Sequence, residues 1–146
     1  MTERCPECGA LLTEGNTCQS IFDEVLSLEY TNPEYGKVHF LTVTCFMIQH
    51  GRYSDEALAW AKSALRAYLD EGVTAQQIRQ RTAKETNRAT RTWKVTRQAG
   101  APPLPKVAWS MTIADVAQSL QDAGKYCEQI EKWAHITLQE MEVMQP

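Results

Sequence analysis

Apolar residues recur at intervals of three and four along much of the chain, which is the spacing of one face of an α-helix. The strongest signal lies near the C-terminus, directly after a helix-capping pair formed by Thr112 and Asp115. The apolar positions of this stripe are Val116, Leu120, Ala123, Cys127, Ile130, Ala134, Leu138 and Met141. The pattern predicts one long helix over residues 112–142.

The middle of the chain contains further helical patterns. Residues 19–30 form an amphipathic stretch, with acidic side chains opposite the apolar ones. Residues 38–48 are apolar on most sides, and their threonines would also suit a strand. The length of this run and its end near Gly51 favour a buried helix. Two more helices are expected after residues with N-cap character, Ser54 and Thr74.

Residues 88–111 differ in character from the rest of the chain. Threonine and valine lower the helix propensity of the first part, and the sequence from Gly100 to Pro105 prevents a helix altogether. We therefore predict an extended excursion with one short strand around residues 93–96. The whole chain predicts a mainly α-helical fold, a bundle of four to five helices in a single domain, 1–146. Its parts are a metal knuckle (1–18), helices (19–87), the extended segment (88–111) and the long C-terminal helix (112–142).

The most specific chemical signal is the sequence Cys5-Pro6-Glu7-Cys8-Gly9. Two cysteines separated by two residues bring both sulfurs to one point about 2.3 Å from a tetrahedral metal ion. Pro6 fixes φ after the first sulfur, and Gly9 permits the turn that follows. A redox pair would normally open a helix, and the loop after Gly9 argues against one. A third ligand, Cys18, follows after a short polar loop.

There are three candidates for the fourth ligand. They can be ranked by how close each would lie to Cys18 in a helical hairpin. We take residues 19–30 as one helix and residues 35–50 as its antiparallel return. At about 1.5 Å rise per residue, His39 stays roughly 12 Å short of Cys18 along the axis. Cys45 returns level with Cys18, and His50 reaches slightly beyond it, toward the knuckle. His50 is therefore the first choice, Cys45 the second and His39 the third.

Three thiolates and one imidazole favour zinc over hard cations. A site closed by four protein ligands is structural, whereas a site with an open position can be catalytic. We therefore predict one structural zinc ion bound by Cys5, Cys8, Cys18 and His50. The competing hypothesis is a metal-dependent enzyme or a small-molecule binder with its site in the bundle core near His39. The sequence contains no Gly-rich phosphate loop, serine elbow or His-Glu-x-x-His spacing.

The composition narrows the class of protein and the cellular compartment expected for it. An apolar content of 43% and a charged content of 23% are ordinary for a globular protein. No apolar stretch is long enough to span a membrane, and the first residues do not form a secretion signal. Five cysteines in a chain without such a signal suit reduced thiols, so a cytoplasmic location is expected.

The charge of the chain is unevenly distributed. The formal net charge is −3, yet the segment from Arg79 to Lys106 contains eight cations against Glu85 alone. A basic face with an aromatic residue suits an anionic partner, either an acidic protein or a nucleic acid. The alternative is that these cations pair with acidic residues of the same chain or face solvent. The candidate partner-binding residues are Arg81, Lys84, Arg88, Arg91, Trp93 and Lys94.

Several motifs together resemble a bacterial family of small uncharacterised proteins known only as a domain of unknown function. They are Cys-Pro-Glu-Cys-Gly at 5–9, Cys18 before a helix, Val38-His39-x-Leu41-Thr42-Val43, Gln49-His50 and Trp109-x-Met111-Thr112-x-x-Asp115-Val116. The resemblance covers nearly the whole chain. It implies that the three cysteines and both histidines occupy family motif positions, without choosing between the histidines. It brings no established activity.

Overall fold

The computed structural model describes residues 3–87, 89, 92–100 and 107–144, without the side chains of residues 143 and 144. The fold is mainly α-helical, as the sequence predicts. In order, its elements are β1 (Glu3–Arg4), β2 (Leu11–Leu12), α1 (Cys18–Thr31), a 3-10 helix (Pro33–Val38), α2 (His39–Gln49), α3 (Asp55–Asp70), α4 (Ala75–Glu85), α5 (Ile113–Val116), a second 3-10 helix (Ala117–Ser119) and α6 (Ala123–Met144).

Polar side chains define where these helices begin. Thr17 and Ser20 form a capping box in which each side chain accepts a hydrogen bond from the other residue's backbone N–H. This capping box fixes Cys18 as the first residue of α1. Ser54 caps α3 by accepting from the Ala57 N–H, and Thr74 caps α4 in the same way from Gln77. The two starts predicted from Ser54 and Thr74 are confirmed.

The core is centred on α2 and α6, which pack against each other. Leu41 of α2 and Ile130 and Trp133 of α6 are completely buried. Thr42 is also buried, and its Oγ1 donates to the Val38 carbonyl 3.1 Å away within the same helix. Since the threonine hydroxyl is satisfied by the preceding turn, it does not oppose burial of the helix. The prediction of a buried helix here is therefore confirmed.

The long helix predicted over 112–142 is wrong at its start. Thr112 and Asp115 do form a capping box, but it opens only the single turn of α5 and the 3-10 helix that follows. The helix then breaks, and α6 begins at Ala123. Asp122 accounts for the restart, because its Oδ1 accepts a hydrogen bond from the Lys125 N–H at 3.1 Å. An aspartate stabilises a helix more at its N-terminus than in its interior. The spacing of the apolar residues contains no information on this preference.

The return helix of the first hairpin also differs from the prediction. Residues Pro33–Val38 form a 3-10 helix, and the α-helix begins only at His39. Asn32 caps the 3-10 helix with its side chain, which accepts from the Glu34 N–H at 3.0 Å. His39 is consequently the first residue of α2 and lies beside the turn of the hairpin.

The described part of the extended segment packs along the turn between α2 and α3. Tyr53 and Thr96 form an isolated antiparallel bridge, in the place of the short strand that the sequence predicts. The Ser54 N–H donates to the Val95 carbonyl at 2.9 Å, and the Arg97 N–H donates to the Arg52 carbonyl at 2.8 Å. Residues 101–106, with the predicted Pro-rich part, lie outside the described residues. Among the described residues, none of the helices has the length and apolar character needed to cross a membrane.

Candidate metal centre

The two knuckle cysteines lie in a tight turn between β1 and β2. The Cys5 N–H donates to the Ala10 carbonyl at 2.8 Å, and the Gly9 N–H donates to the Cys5 carbonyl at 2.9 Å. Gly9 has a φ of 80°, a conformation that other residues adopt only with strain. The turn buries the side chains of Cys5 and Cys8 on the inner side of the hairpin.

Cys18 joins this pair because its helix begins there. Its Sγ lies 3.6 Å from the Sγ of Cys8, close to the ligand separation of about 3.8 Å expected in a tetrahedral zinc–thiolate site. The two residues are ten positions apart in the chain, and the polar loop between them closes on the capping box of α1. The third ligand predicted from the sequence therefore lies with the first two.

His50 reaches the same point from the end of α2. Its Nδ1 lies 2.7 Å from the Phe46 carbonyl, an acceptor only, so Nδ1 carries the proton and donates. In the neutral ring, Nε2 is then left with its lone pair free. This Nε2 is buried and has no hydrogen-bond partner among the described residues. A buried nitrogen without a partner is costly, and a metal ion facing it would remove that cost.

An aromatic stack holds the imidazole ring in place. The ring of His50 packs on Phe46 with centroids 4.2 Å apart, and Phe46 packs on Phe22 of α1 at 4.1 Å. The stack joins α1 to α2 at the residue that lies beside the cysteines. Because its Nδ1 is hydrogen-bonded and its face is packed, the ring has a defined orientation before any ion binds.

The ligand atoms of Cys5, Cys8, Cys18 and His50 all lie within 4.8 Å of one another, and all four residues are buried. This group can hold a metal ion. Three sulfurs and one imidazole nitrogen converging on one point match the ligand set of Cys3His sites. The four residues brought together are those that the sequence predicts.

The protonation of the cluster favours a bound cation. Hydrogen bonding with the Cys18 thiol lowers the pKa of Cys8, and the same contact raises the pKa of Cys18. Burial alone would lower the pKa of His50, but its contacts with the Cys8 sulfur and the Phe46 carbonyl raise it. Buried thiolates at this separation require positive charge between them, and a divalent ion supplies more of it than one shared proton.

A surface ion pair spans the site. Arg52, two residues after His50, donates through Nη2 to Glu7 Oε1 at 3.1 Å. Glu7 lies between the two knuckle cysteines, so the pair joins the hairpin to the end of α2. Both side chains are nearly half exposed, which limits the contribution to about 1 kcal/mol or less. The sequence analysis did not predict this contact. The signal that could have revealed it is the pair of opposite charges next to the candidate ligands, Glu7 and Arg52.

The other two candidates for the fourth ligand lie elsewhere. Cys45 is completely buried, and burial raises the pKa of its thiol to about 12. It interacts with Thr137 of α6 and is not one of the four residues whose ligand atoms converge. His39 has a side chain that is 55% exposed, and its Nδ1 lies 2.8 Å from a carboxylate oxygen of Glu29. The carboxylate partner of the core-site hypothesis is present, but His39 lies on the surface and not in the bundle core.

The basic segment is only partly described. Arg88, Arg91 and Lys106 lie outside the described residues. Arg81 pairs with Glu85 through Nε at 2.9 Å, and Arg97 pairs with Asp55 at 2.9 Å. Lys84 and Lys94 are exposed, and Trp93 is half-buried against the core. Two of the described cations are therefore held by carboxylates of the same chain.

Fold and site together define a mainly helical protein with a candidate Cys3His metal centre near its N-terminus. Sequence comparison matches residues 3–142 to a family described as a family of unknown function (DUF5946). The chain belongs to this family, which confirms the resemblance to a domain of unknown function. No match was found among curated proteins or among solved structures.

Proposed function

We propose that this protein binds one zinc ion through Cys5, Cys8, Cys18 and His50, and that the ion has a structural role. The zinc fastens the N-terminal hairpin to α1 and to the end of α2. On this proposal the protein is a non-enzymatic, cytoplasmic interaction or regulatory module whose N-terminal region depends on the metal.

One observation carries the zinc proposal, namely that three buried cysteine sulfurs and a ring nitrogen of His50 converge to within 4.8 Å of one another. The buried Nε2 of His50 would gain a partner in a bound zinc ion. Thiolates with one imidazole suit a borderline-soft, tetrahedral ion, and zinc is such an ion. Hard cations such as magnesium and calcium would require oxygen ligands, which this group does not contain.

A structural role follows from the ligand count and from the weak core of the hairpin. Four protein ligands complete a tetrahedral shell, so no position remains for a substrate. Apart from its cysteines, the hairpin buries only Ala10 and Leu12. A two-stranded hairpin of this size is at best marginally stable alone, and bound zinc contributes directly to the free energy of folding.

Thiol labelling tests the proposal without mutation. With zinc bound, iodoacetamide should modify Cys127 alone among the five cysteines, and slowly, because burial raises the pKa of that thiol. Removing the metal with a chelator should add Cys5, Cys8 and Cys18, since a ligated thiolate is protected and a released one is reactive. Cys45 should react only after denaturation, because it is completely buried. The modified residues are identified by mass spectrometry.

The order of labelling makes the test decisive. Equal reactivity of the three N-terminal cysteines before and after chelation would contradict a zinc site. A disulfide between any two of them in freshly purified protein would contradict it as well.

We also propose that the described basic residues Lys84 and Lys94 contribute to contact with an anionic partner. Both are exposed, and neither is in an ion pair among the described residues, whereas Arg81 and Arg97 are each held by a carboxylate. Trp93 lies between them in sequence and keeps part of its surface accessible. These features support a weak electrostatic contact of the type that salt screens.

The double variant Lys84→Ala with Lys94→Ala tests this contact. Binding to polyglutamate and to single-stranded DNA, measured by fluorescence anisotropy at low salt, should weaken about three- to tenfold. Lys125→Ala with Lys132→Ala removes the same charge from α6 and is the control. Absence of binding to both polymers, or an equal loss in both double variants, would rule the surface out.

A further inference from the structure

A groove with a volume of about 600 Å³ lies beside the metal centre. The hairpin and the loop after it form one wall, α1 contributes Ile21 and Glu24, and the region from Trp109 to Gln121 forms the remainder. None of the four metal ligands lines the groove. Its volume falls within the range of small-molecule sites in proteins.

The groove is lined by charges of both signs that do not form an ion pair with each other. Arg4, on the hairpin, donates through Nη1 to the Gly9 carbonyl at 3.1 Å, which leaves most of its guanidinium N–H groups free. Glu24, on α1, also lines the groove. Among the described residues, neither side chain is in an ion pair. Two opposite charges on one groove that do not reach each other can be bridged by a ligand that carries both signs.

A second carboxylate, that of Asp115, also lines the groove. Asp115 accepts from the Thr112 N–H through Oδ2 at 2.9 Å, which leaves the Oδ1 side of its carboxylate for a further donor. Glu24 and Asp115 together give the groove two carboxylates against one guanidinium. An ammonium group near these carboxylates and a carboxylate near Arg4 would balance the local charges.

The groove also exposes apolar surface. Leu11 is 54% exposed, one of two large hydrophobic side chains so exposed among the described residues. Trp109 is half-buried, and Ile21 and Leu12 line the groove from the buried side. Leu11 and Trp109 therefore offer apolar surface to the body of a ligand in the same groove as the charged groups.

We propose that this groove binds a small zwitterion with an apolar body, namely an apolar amino acid or a short peptide with free termini. The ligand carboxylate accepts hydrogen bonds from Arg4, and its ammonium group donates to Glu24, with Asp115 adding negative potential. Its apolar part covers Leu11 and Trp109. The inference rests on the proposed zinc site in one respect: the knuckle turn at Gly9 and Ala10 both borders the metal and lines the groove.

Calorimetric titration of the zinc-loaded protein with leucine, dileucine and trileucine tests the proposal. At least one of these should bind saturably, and their ranking separates a free amino acid from a peptide as the ligand. The N-acetylated and C-amidated forms of the best binder should each bind about tenfold more weakly or worse, because each lacks one charge-assisted contact. Absence of saturable binding by all three, or equal binding of the blocked forms, would overturn the proposal.

Charge-neutral variants test the two assigned contacts. Glu24→Gln and Arg4→Gln should each weaken binding about tenfold or more. Glu128→Gln and Arg79→Gln remove the same charges from exposed positions outside the groove and should change nothing. The zinc content of each variant is measured, and Glu24→Gln, which breaks no observed hydrogen bond, remains informative if Arg4→Gln loosens the hairpin. Unchanged affinity in Glu24→Gln would overturn the assignment.

The results also separate this inference from the zinc proposal. If the protein binds one zinc ion per chain but no zwitterion, the groove proposal is wrong and the zinc proposal stands. Zwitterion binding that depends on Glu24 in a chain that holds no zinc supports the groove and removes the zinc proposal.

Discussion

Replacing Cys8 by serine is expected to weaken zinc binding by about a hundredfold to a thousandfold. Structural zinc contributes about 10–16 kcal/mol of apparent binding free energy, and one of four ligands accounts for about a quarter of it. Against a chelator that binds zinc about tenfold more weakly than the unmodified protein, the unmodified protein should keep most of its zinc and the variant only a small fraction. The content is measured by elemental analysis after dialysis.

The same substitution should loosen the N-terminus without unfolding the bundle. Leu41, Ile130 and Trp133 are completely buried in the packed pair of α2 and α6 and are not among the four residues of the cluster, so the helical signal in circular dichroism should persist. Hydrogen exchange should accelerate over residues 3–18, and α6 should keep its protection.

Cys127→Ser is the matched control, because Cys127 lies in α6 outside the cysteine cluster. It should retain one zinc ion and the exchange pattern of the unmodified protein. Full zinc retention in Cys8→Ser, or equal loss in both variants, would contradict the ligand assignment.

His50→Ala is expected to reduce zinc affinity by a similar factor, again about a hundredfold or more. The substitution removes the Nε2 ligand and also the ring that stacks on Phe46. Three thiolates remain, and water can take the fourth position, so residual binding should be higher than in Cys8→Ser. Cobalt substitution gives the readout, because the visible absorption of a tetrahedral cobalt–thiolate site changes when a nitrogen ligand is lost.

His39→Ala is the control for this second prediction. His39 lies beside the turn that follows α1, away from the cysteines, and pairs with Glu29. Its loss should therefore leave the zinc affinity and the cobalt spectrum unchanged. Loss of zinc in His39→Ala with retention in His50→Ala would reverse the assignment of the fourth ligand.

The grouping of Cys5, Cys8 and Cys18 could be predicted from the sequence because it depends on local rules. A Cys-x-x-Cys turn places two sulfurs together whatever the surrounding fold, and a cap at Thr17 places Cys18 at a helix start. His50 required the antiparallel arrangement of α1 and α2. His50 lies beside the three cysteines although residues Pro33–Val38 form a 3-10 helix, since that helix rises about 2.0 Å per residue and still carries the chain back to the knuckle.

Other features could not be predicted because they depend on tertiary context. The break before α6 depends on Asp122, which caps the start of that helix. The apolar residues keep their helical spacing across the break, so the pattern alone predicts one continuous helix. The Phe46 carbonyl selects the protonated nitrogen of His50, and a side-chain pattern contains no information on this contact. The groove beside the hairpin exists only once residues 109–121 fold against α1.

X-ray absorption at the zinc edge of the purified protein tests the central claim most directly. The account predicts one zinc ion per chain with three sulfur neighbours at about 2.3 Å and one nitrogen at about 2.0–2.1 Å. A shell made only of nitrogen and oxygen, or protein that takes up no zinc under reducing conditions, would contradict it.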